Sequence, residues 1–394
     1  MTEAAPIVAA GAVVASGSVL RPGWVQVTGD RISGVGAGEP PADPDVSWPH
    51  SALVPGFVDM HVHGGGGFSF DHGSQDEARG AVQWHRAQGT TSMLASLVSA
   101  PGGELLRRVA VLADLVQEGL LSGIHLEGPW LAPGKRGAHR LQALRDPRPQ
   151  EVEELLRAGR GTIRMVTLAP ERPGGQDAVR QLVEAGVVVA IGHTEADEEQ
   201  TRRAVAAGAT VATHLFNAMP AVHHRDPGPV PVLLGDPRVT VELIADGLHL
   251  HPAIVEWVVR TAGPARVAFV TDAMAAAGMP DGAYTLGTLP VQVRQGVARL
   301  PDGSIAGSTA TTPHGFAAAR ETATDADAGL ALAGRVCATT PARALGLHDV
   351  GLIEVGRRAD LVMLGDATPQ AVMSRGVWLP RAERPGASGA PQPT

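Results

Sequence analysis

The chain has 394 residues, is 44% hydrophobic and only 18% charged, and contains 49 Gly, 31 Pro and one Cys. A chain this long buries a large core without staples, and a lone cysteine excludes an internal disulfide framework and a cysteine-rich zinc site. The formal charge of −8 argues against a nucleic-acid partner, which calls for a basic face.

The uncharged stretch Ala4–Leu20 follows Glu3, lacks a basic flank and is broken by Gly11 and Gly17, so it reads as a strand and turn rather than a secretion signal. No segment is long and apolar enough to span a bilayer, which gives no membrane partner. The scarcity of cysteine makes the cytoplasm the expected compartment. Ile7–Val54 is strand-like, with breaks at Gly29-Asp30 and Glu39–Pro44.

From Leu53 to Met274 short apolar runs alternate with amphipathic segments. The runs are Val54–His63, Thr90–Val98, Gly123–Glu127, Ile163–Ala169, Val187–His193, Thr210–Asn217, Val239–Asp246 and Arg266–Asp272. Helices are expected at Asp76–Gln88, Gly103–Gln117, Gln150–Ala158, Gln176–Ala185, Glu195–Ala207 and Pro252–Thr261. A βα unit repeated about eight times specifies an α/β chain with a (β/α)₈ TIM-type barrel. An open doubly wound sheet is the alternative, but the G-x-G-x-x-G fingerprint is missing.

Beyond the barrel, Tyr284–Ile305 reads as a hairpin because Pro301-Asp302-Gly303 is a turn signal. Helices are expected at Pro313–Arg320 and Leu330–Thr339, and short strands at Ala359–Leu364 and Val372–Leu379. The two ends of the chain then pair into a small β-sandwich domain. The expected division is 1–53 and 346–380 for that domain, 54–345 for the barrel, and a disordered tail at 381–394, which is rich in Pro, Gly, Ser and Ala.

His61 and His63, at i and i+2 on the first barrel strand, share a face. Alone, such a pair is more often an exposed polar couple than a metal site. Other ligand-type residues change that reading: Glu127 closes the third strand, His193 the fifth, His214 the sixth and Asp272 the eighth. In a barrel all these ends meet on one face. Buried imidazoles and carboxylates without partners are costly, so their convergence points to a divalent metal. Histidine with carboxylate suits zinc, iron, cobalt or manganese, with zinc expected.

The blocks Pro55–Gly64, Gly123–Pro129, Thr213–Pro220, Ala245–His249, Pro341–Leu347 and Gly356–Leu361 together resemble the N-acetylglucosamine-6-phosphate deacetylase family of the amidohydrolase superfamily. That resemblance implies one ion on Glu127, His193 and His214, and a second position at His61 and His63, hence one or two ions per subunit. It implies that Asp272 lies beside the reacting water and that His139 contacts substrate. It implies that Asn217, the backbone at Ala218, Arg225 and His249 hold the sugar phosphate, some of them reaching across a homodimer. Asp226 departs from the Glu usual beside that Arg.

The implied reaction is deacetylation of N-acetyl-D-glucosamine 6-phosphate in amino-sugar catabolism. The galactosamine epimer, another metal amidohydrolase, or a non-catalytic barrel used as an interaction module are the alternatives. The residue types fit hydrolysis independently: an ion activates water, and one carboxylate, Asp272, serves as base and then as acid to the leaving amine. No G-x-S-x-G is present and no covalent intermediate is required.

Several lesser features read more plainly. Gly64–Gly67 either cradles a phosphate or lets the chain turn, and the turn is the commoner use. His125 is expected to support or pack rather than ligate, His223 and His224 to lie on a loop surface, and Cys337 to fill core. No lysine stands at a strand end to bridge two ions, and Glu127 takes that place.

Overall fold

A computed structural model describes residues 6–380, so the tail expected at 381–394 lies outside the described residues. Eight parallel strands pair in chain order: β1 (Phe57–Asp59), β2 (Thr90–Val98), β3 (Gly123–Glu127), β4 (Ile163–Leu168), β5 (Val188–Ile191), β6 (Val211–Ala212), β7 (Thr240–Leu243) and β8 (Val267–Phe269). Helices α1 (Gln75–Ala87), α2 (Gly102–Gln117), α3 (Pro149–Gly159), α4 (Gly175–Glu184), α5 (Glu198–Ala206), α6 (Val230–Gly235), α7 (Pro252–Ala262) and α8 (Thr312–Glu321) alternate with them. The fold is a (β/α)₈ barrel. Strand β2 is buried at every position, as expected for a parallel strand covered on both faces. Asp197 starts α5 through a capping box with Gln200.

The seam between β8 and β1 closes beyond the regular strands. Asp272 N–H donates to the His61 carbonyl (2.9 Å), and His63 N–H to the Ala273 carbonyl (2.8 Å). Asp59 staples the seam, accepting from the Thr271 hydroxyl (2.5 Å) and from the amides of His61 (3.2 Å) and Thr271 (3.3 Å). Burial outweighs these bonds and pushes its carboxyl up to about 6. The barrel therefore closes at the residues singled out by the sequence. Met60, Leu94, Met165, Ala190, Val211 and Ala268 fill the interior as an apolar cluster.

Both chain ends meet in one eight-stranded mixed sheet. Leu361–Gly365 pairs antiparallel with Val46–Pro55, which runs parallel to Ile7–Ala15. Gly23–Thr28 and Arg31–Ala37 extend that sheet on one side, and Thr368–Ser374 and Val377–Trp378 on the other. It has its own apolar filling, including Val8, Val13, Val25, Leu53, Leu361 and Met373.

Several boundaries differ from the sequence reading. The run Val54–His63 is not one strand, because Val54 and Pro55 belong to the terminal sheet and the chain changes sheets at Gly56. A Cβ there would lie 2.2 Å from Thr91 Oγ1, so only glycine fits the crossing. The stretch Val372–Leu379 turns at Arg375-Gly376, both with positive φ, and divides into two strands. The expected hairpin has three strands, Gly282–Leu286, Leu289–Arg294 and Val297–Arg299. The last expected helix begins earlier, at Ala326 behind its Asp325 cap, turns π-helical at Arg335–Thr339 and runs on through Thr340–Ala344. Among the described residues, no helix is long and apolar enough to cross a membrane.

Candidate metal centre

Six side chains converge at the C-terminal mouth of the barrel around one carboxylate, Glu127. Its Oε1 lies 3.0 Å from His193 Nε2, 3.1 Å from His214 Nε2 and 3.4 Å from His61 Nε2. Its Oε2 lies 3.2 Å from both His63 Nε2 and His139 Nε2. Asp272 Oδ1 is 3.4 Å from His61 Nε2 and 3.3 Å from His63 Nε2. The two Nε2 atoms of His61 and His63 are 3.2 Å apart, and those of His193 and His214 are 3.0 Å apart. Ligands bound tetrahedrally at about 2.0–2.1 Å from one ion are roughly 3.3 Å from each other. The spacing thus suits two adjacent ion positions that share Glu127.

The backbone turns sharply where these residues sit. His193, His214 and Asp272 have φ of 49°, 27° and 48°. Left-handed backbone costs an ordinary residue roughly 1–2 kcal/mol, and it is tolerated here because neighbouring bonds hold each turn. Leu215 N–H donates to the Glu242 carbonyl, and Ser308 N–H to that of Asp272.

Tautomers separate ligands from donors. His193 Nδ1 sits 2.7 Å from the Lys135 carbonyl and must donate, so its Nε2 lone pair faces Glu127. His61 Nδ1 faces the Glu242 carboxylate at 3.2 Å with the same result. His139 is reversed. The Ser99 backbone N–H donates to its Nδ1 (3.1 Å), which leaves the proton on Nε2, aimed at Glu127. By distance alone Glu127, His139 and His193 could form a metal group. The tautomer makes His139 a hydrogen-bond donor instead.

The electrostatics agree with a cation. Burial would raise Glu127, but the surrounding imidazoles hold its carboxyl well below the usual range. Burial would likewise raise Asp272, yet His61 and His63 bring it down to about 2. Burial lowers His63, and its contacts with Asp272 and Glu127 reverse this, to about 10. Two buried carboxylates demand positive charge, which protons on His61 and His63 or divalent ions can supply. His139 is brought down to about 4 by burial, against the pull of Glu127, and so is neutral.

The cavity above the cluster has a volume of about 280 Å³. It is lined by His63, His139, His193, His214, Glu127 and Asp272, together with Asn217, Ala218, His249 and the apolar Ile244, Leu286 and Ile305. His249 is fixed by Asp246, whose carboxylate accepts from its Nδ1 (2.7 Å) and from the amides of Leu248 (2.9 Å) and His249 (2.8 Å). Burial lowers His249, and Asp246 more than compensates, raising it above the ordinary imidazole value.

Arg225 does not line this cavity. It is exposed on the loop after β6, with Nη1 2.8 Å from His224 Nε2. Gly64, Gly66 and Gly67 spend their amides on the carbonyls of Ala273, Ala277 and Ala275, so this run is a turn and not a phosphate cradle. His125 is buried between Ser96 Oγ (2.9 Å) and Thr167 Oγ1 (2.8 Å), beneath His61. A larger groove of about 980 Å³, lined by Trp48, His50 and Gln370 among others, lies beside the terminal sheet, away from this cluster.

Sequence reasoning missed Glu242, Ser99 and Asp246. Only Glu242 carried a signal, as a charged residue within the apolar run Val241-Glu242-Leu243-Ile244.

The model of the amidohydrolase family matches residues 52–379. The chain is 37% identical over 315 residues to N-acetylglucosamine-6-phosphate deacetylase from Vibrio furnissii, covering 79% of this chain and 78% of that protein. It is 38% identical over 317 residues to N-acetylgalactosamine-6-phosphate deacetylase from Escherichia coli O157:H7, covering 79% and 83%. A solved structure of the Mycobacterium smegmatis N-acetyl-D-glucosamine-6-phosphate deacetylase, an alanine mutant in complex with N-acetyl-D-glucosamine-6-phosphate, superposes with a TM-score of 0.93. That structure is 50% identical, over 95% of this chain and 99% of the other. With its barrel, its Glu127-centred cluster and a family match spanning most of its length, this chain belongs to the amidohydrolase family.

Proposed function

We propose that the protein hydrolyses N-acetyl-D-glucosamine 6-phosphate to D-glucosamine 6-phosphate and acetate. The observation that carries this reading is Glu127 ringed by imidazole lone pairs, with Asp272 and the neutral His139 donor facing the same cavity. Glu127, His193 and His214 would hold one divalent ion, and His61 and His63 would provide a second position beside Glu127. Such ions, zinc in our reading, supply Lewis acidity and make water nucleophilic near neutral pH.

Asp272 takes the proton of the attacking water and returns it to the departing amine. His139, whose Nε2 proton faces Glu127 in the free protein, redirects it to the acetyl carbonyl oxygen as negative charge develops there. His249, fixed by the bond between its Nδ1 and the Asp246 carboxylate, takes the sugar phosphate together with Asn217 and the Ala218 backbone. Arg225 reaches the phosphate of the neighbouring subunit in a homodimer. Its absence from its own cavity supports that reading, as do the exposed apolar side chains Val222, Leu248, Ile254 and Trp257 on nearby segments. Residues 54–345 act as the catalytic unit, save Val54 and Pro55, which pair in the terminal sheet, with 1–53 and 346–380 as its small companion, in the cytoplasm.

The galactosamine epimer is the second reading, favoured by the 38% identity to an enzyme named for it. The deciding experiment is acetate release from both epimeric sugar phosphates by metal-reconstituted protein, before and after chelation. Turnover of the glucosamine ester, lost with chelator and restored by divalent metal, is expected. Preference for the galactosamine ester would overturn the substrate assignment, and activity indifferent to chelation would overturn the metal.

A further inference from the structure

The most completely buried carboxylate of the mouth is one the reaction does not use. Glu242 lies on β7, fully shielded from solvent, and takes no direct place around Glu127. Its Oε2 accepts from His61 Nδ1 (3.2 Å) and from the His214 backbone N–H (3.2 Å), while Oε1 has no partner. One oxygen therefore touches both candidate ion positions, through a side chain at one and through backbone at the other.

The two contacts differ in consequence. At His61 the bond fixes the ring with Nε2 facing Glu127 and Asp272, each 3.4 Å away. A carboxylate behind a ligating imidazole also increases the basicity of its outward nitrogen. The neighbouring ligand His63 has no such support, since its Nδ1 is buried without a partner. At His214 the bond holds only a turn that the Leu215 amide also secures, and the ring itself is untouched.

Resting on the two-ion reading above, we infer that Glu242 is a positioning residue for the His61/His63 position, and that this position's affinity depends on it selectively. The test measures ions per chain by elemental analysis during titration of the holoprotein with a competing chelator. It uses wild type, Glu242→Gln, Glu242→Ala, His61→Ala and the double variant Glu242→Gln/His61→Ala. Gln keeps an oxygen to accept both bonds and removes the charge, so it separates charge tuning from loss of the bonds.

Wild type is expected to release two ions in separate steps. Glu242→Gln should release the ion that His61→Ala loses at least about tenfold more readily and Glu242→Ala more readily still, in line with the effect of such outer carboxylates. The other ion should stay. In the His61→Ala background Glu242→Gln should change nothing further. Unaltered release from both Glu242 variants would overturn the inference. So would an equal weakening of the remaining ion with and without His61. A wild-type count below two would instead refute the two-ion reading, and that count alone tells the two failures apart.

Discussion

Two residues at the mouth show how environment assigns a role to a side chain. Asp272 and Glu127 are both buried carboxylates ringed by imidazoles. Glu127 offers both oxygens to five histidines and is saturated. Asp272 offers Oδ1 to His61 and His63, and its carboxylate lines the open cavity where a substrate would enter. Only Asp272 is placed to exchange a proton with water. Asp272→Asn should therefore lower kcat by roughly 10²–10⁴-fold, the range for loss of a general acid–base group. It should keep the ion on Glu127, His193 and His214. Steady-state kinetics with metal counting on the same sample check this, and near-normal turnover with metal retained would end the assignment.

At the scale of elements, α1 is tied to the site by a buried neutral imidazole. His85 Nε2 donates to the Gly64 carbonyl (2.9 Å), and its Nδ1 lies buried with no partner. Burial brings its pKa down from 6.5 to about 4. The unfolded chain then takes up a proton at higher pH than the folded one. The stabilisation is complete above the unfolded value and is lost as pH falls through the folded one, an effect of about 3 kcal/mol. His85→Gln keeps a donor and removes the titration, so its urea midpoint should fall less than that of wild type between pH 6.5 and 4. Parallel curves would refute the linkage.

The same element shows what could be read beforehand. The period of α1 and the βα alternation are local features, and the expected Asp76–Gln88 lies within a residue of the observed Gln75–Ala87. His61, His63, Glu127, His193, His214 and Asp272 were legible because barrel topology converts strand ends into one location. Glu242 and Ser99 were not, because their roles depend on which side-chain or backbone atom meets which ring nitrogen. The need for Gly56 was silent, since it arises from Thr91 and Asp360 on other strands and loops.

At the scale of the whole molecule, the phosphate charge needs a cationic partner. Within one chain the cavity offers His249, Asn217 and the Ala218 backbone, while Arg225 sits exposed beside His224. A dianionic phosphate held without a guanidinium would lose the strong bidentate contact that Arg provides. A two-fold dimer that buries Val222, Leu248 and Trp257 would bring each Arg225 loop toward the neighbour's mouth, and it leads to a specific mixing result. Arg225→Ala and Asp272→Asn should each be nearly inactive at low substrate. After subunit exchange of equal amounts, half of the dimers are hybrids, and each hybrid has one site with an intact Asp272 facing an intact Arg225. Activity should then recover to about a quarter of wild type, the statistical share of such sites. If Arg225 served its own subunit, each hybrid site would carry one lesion and mixing would restore nothing.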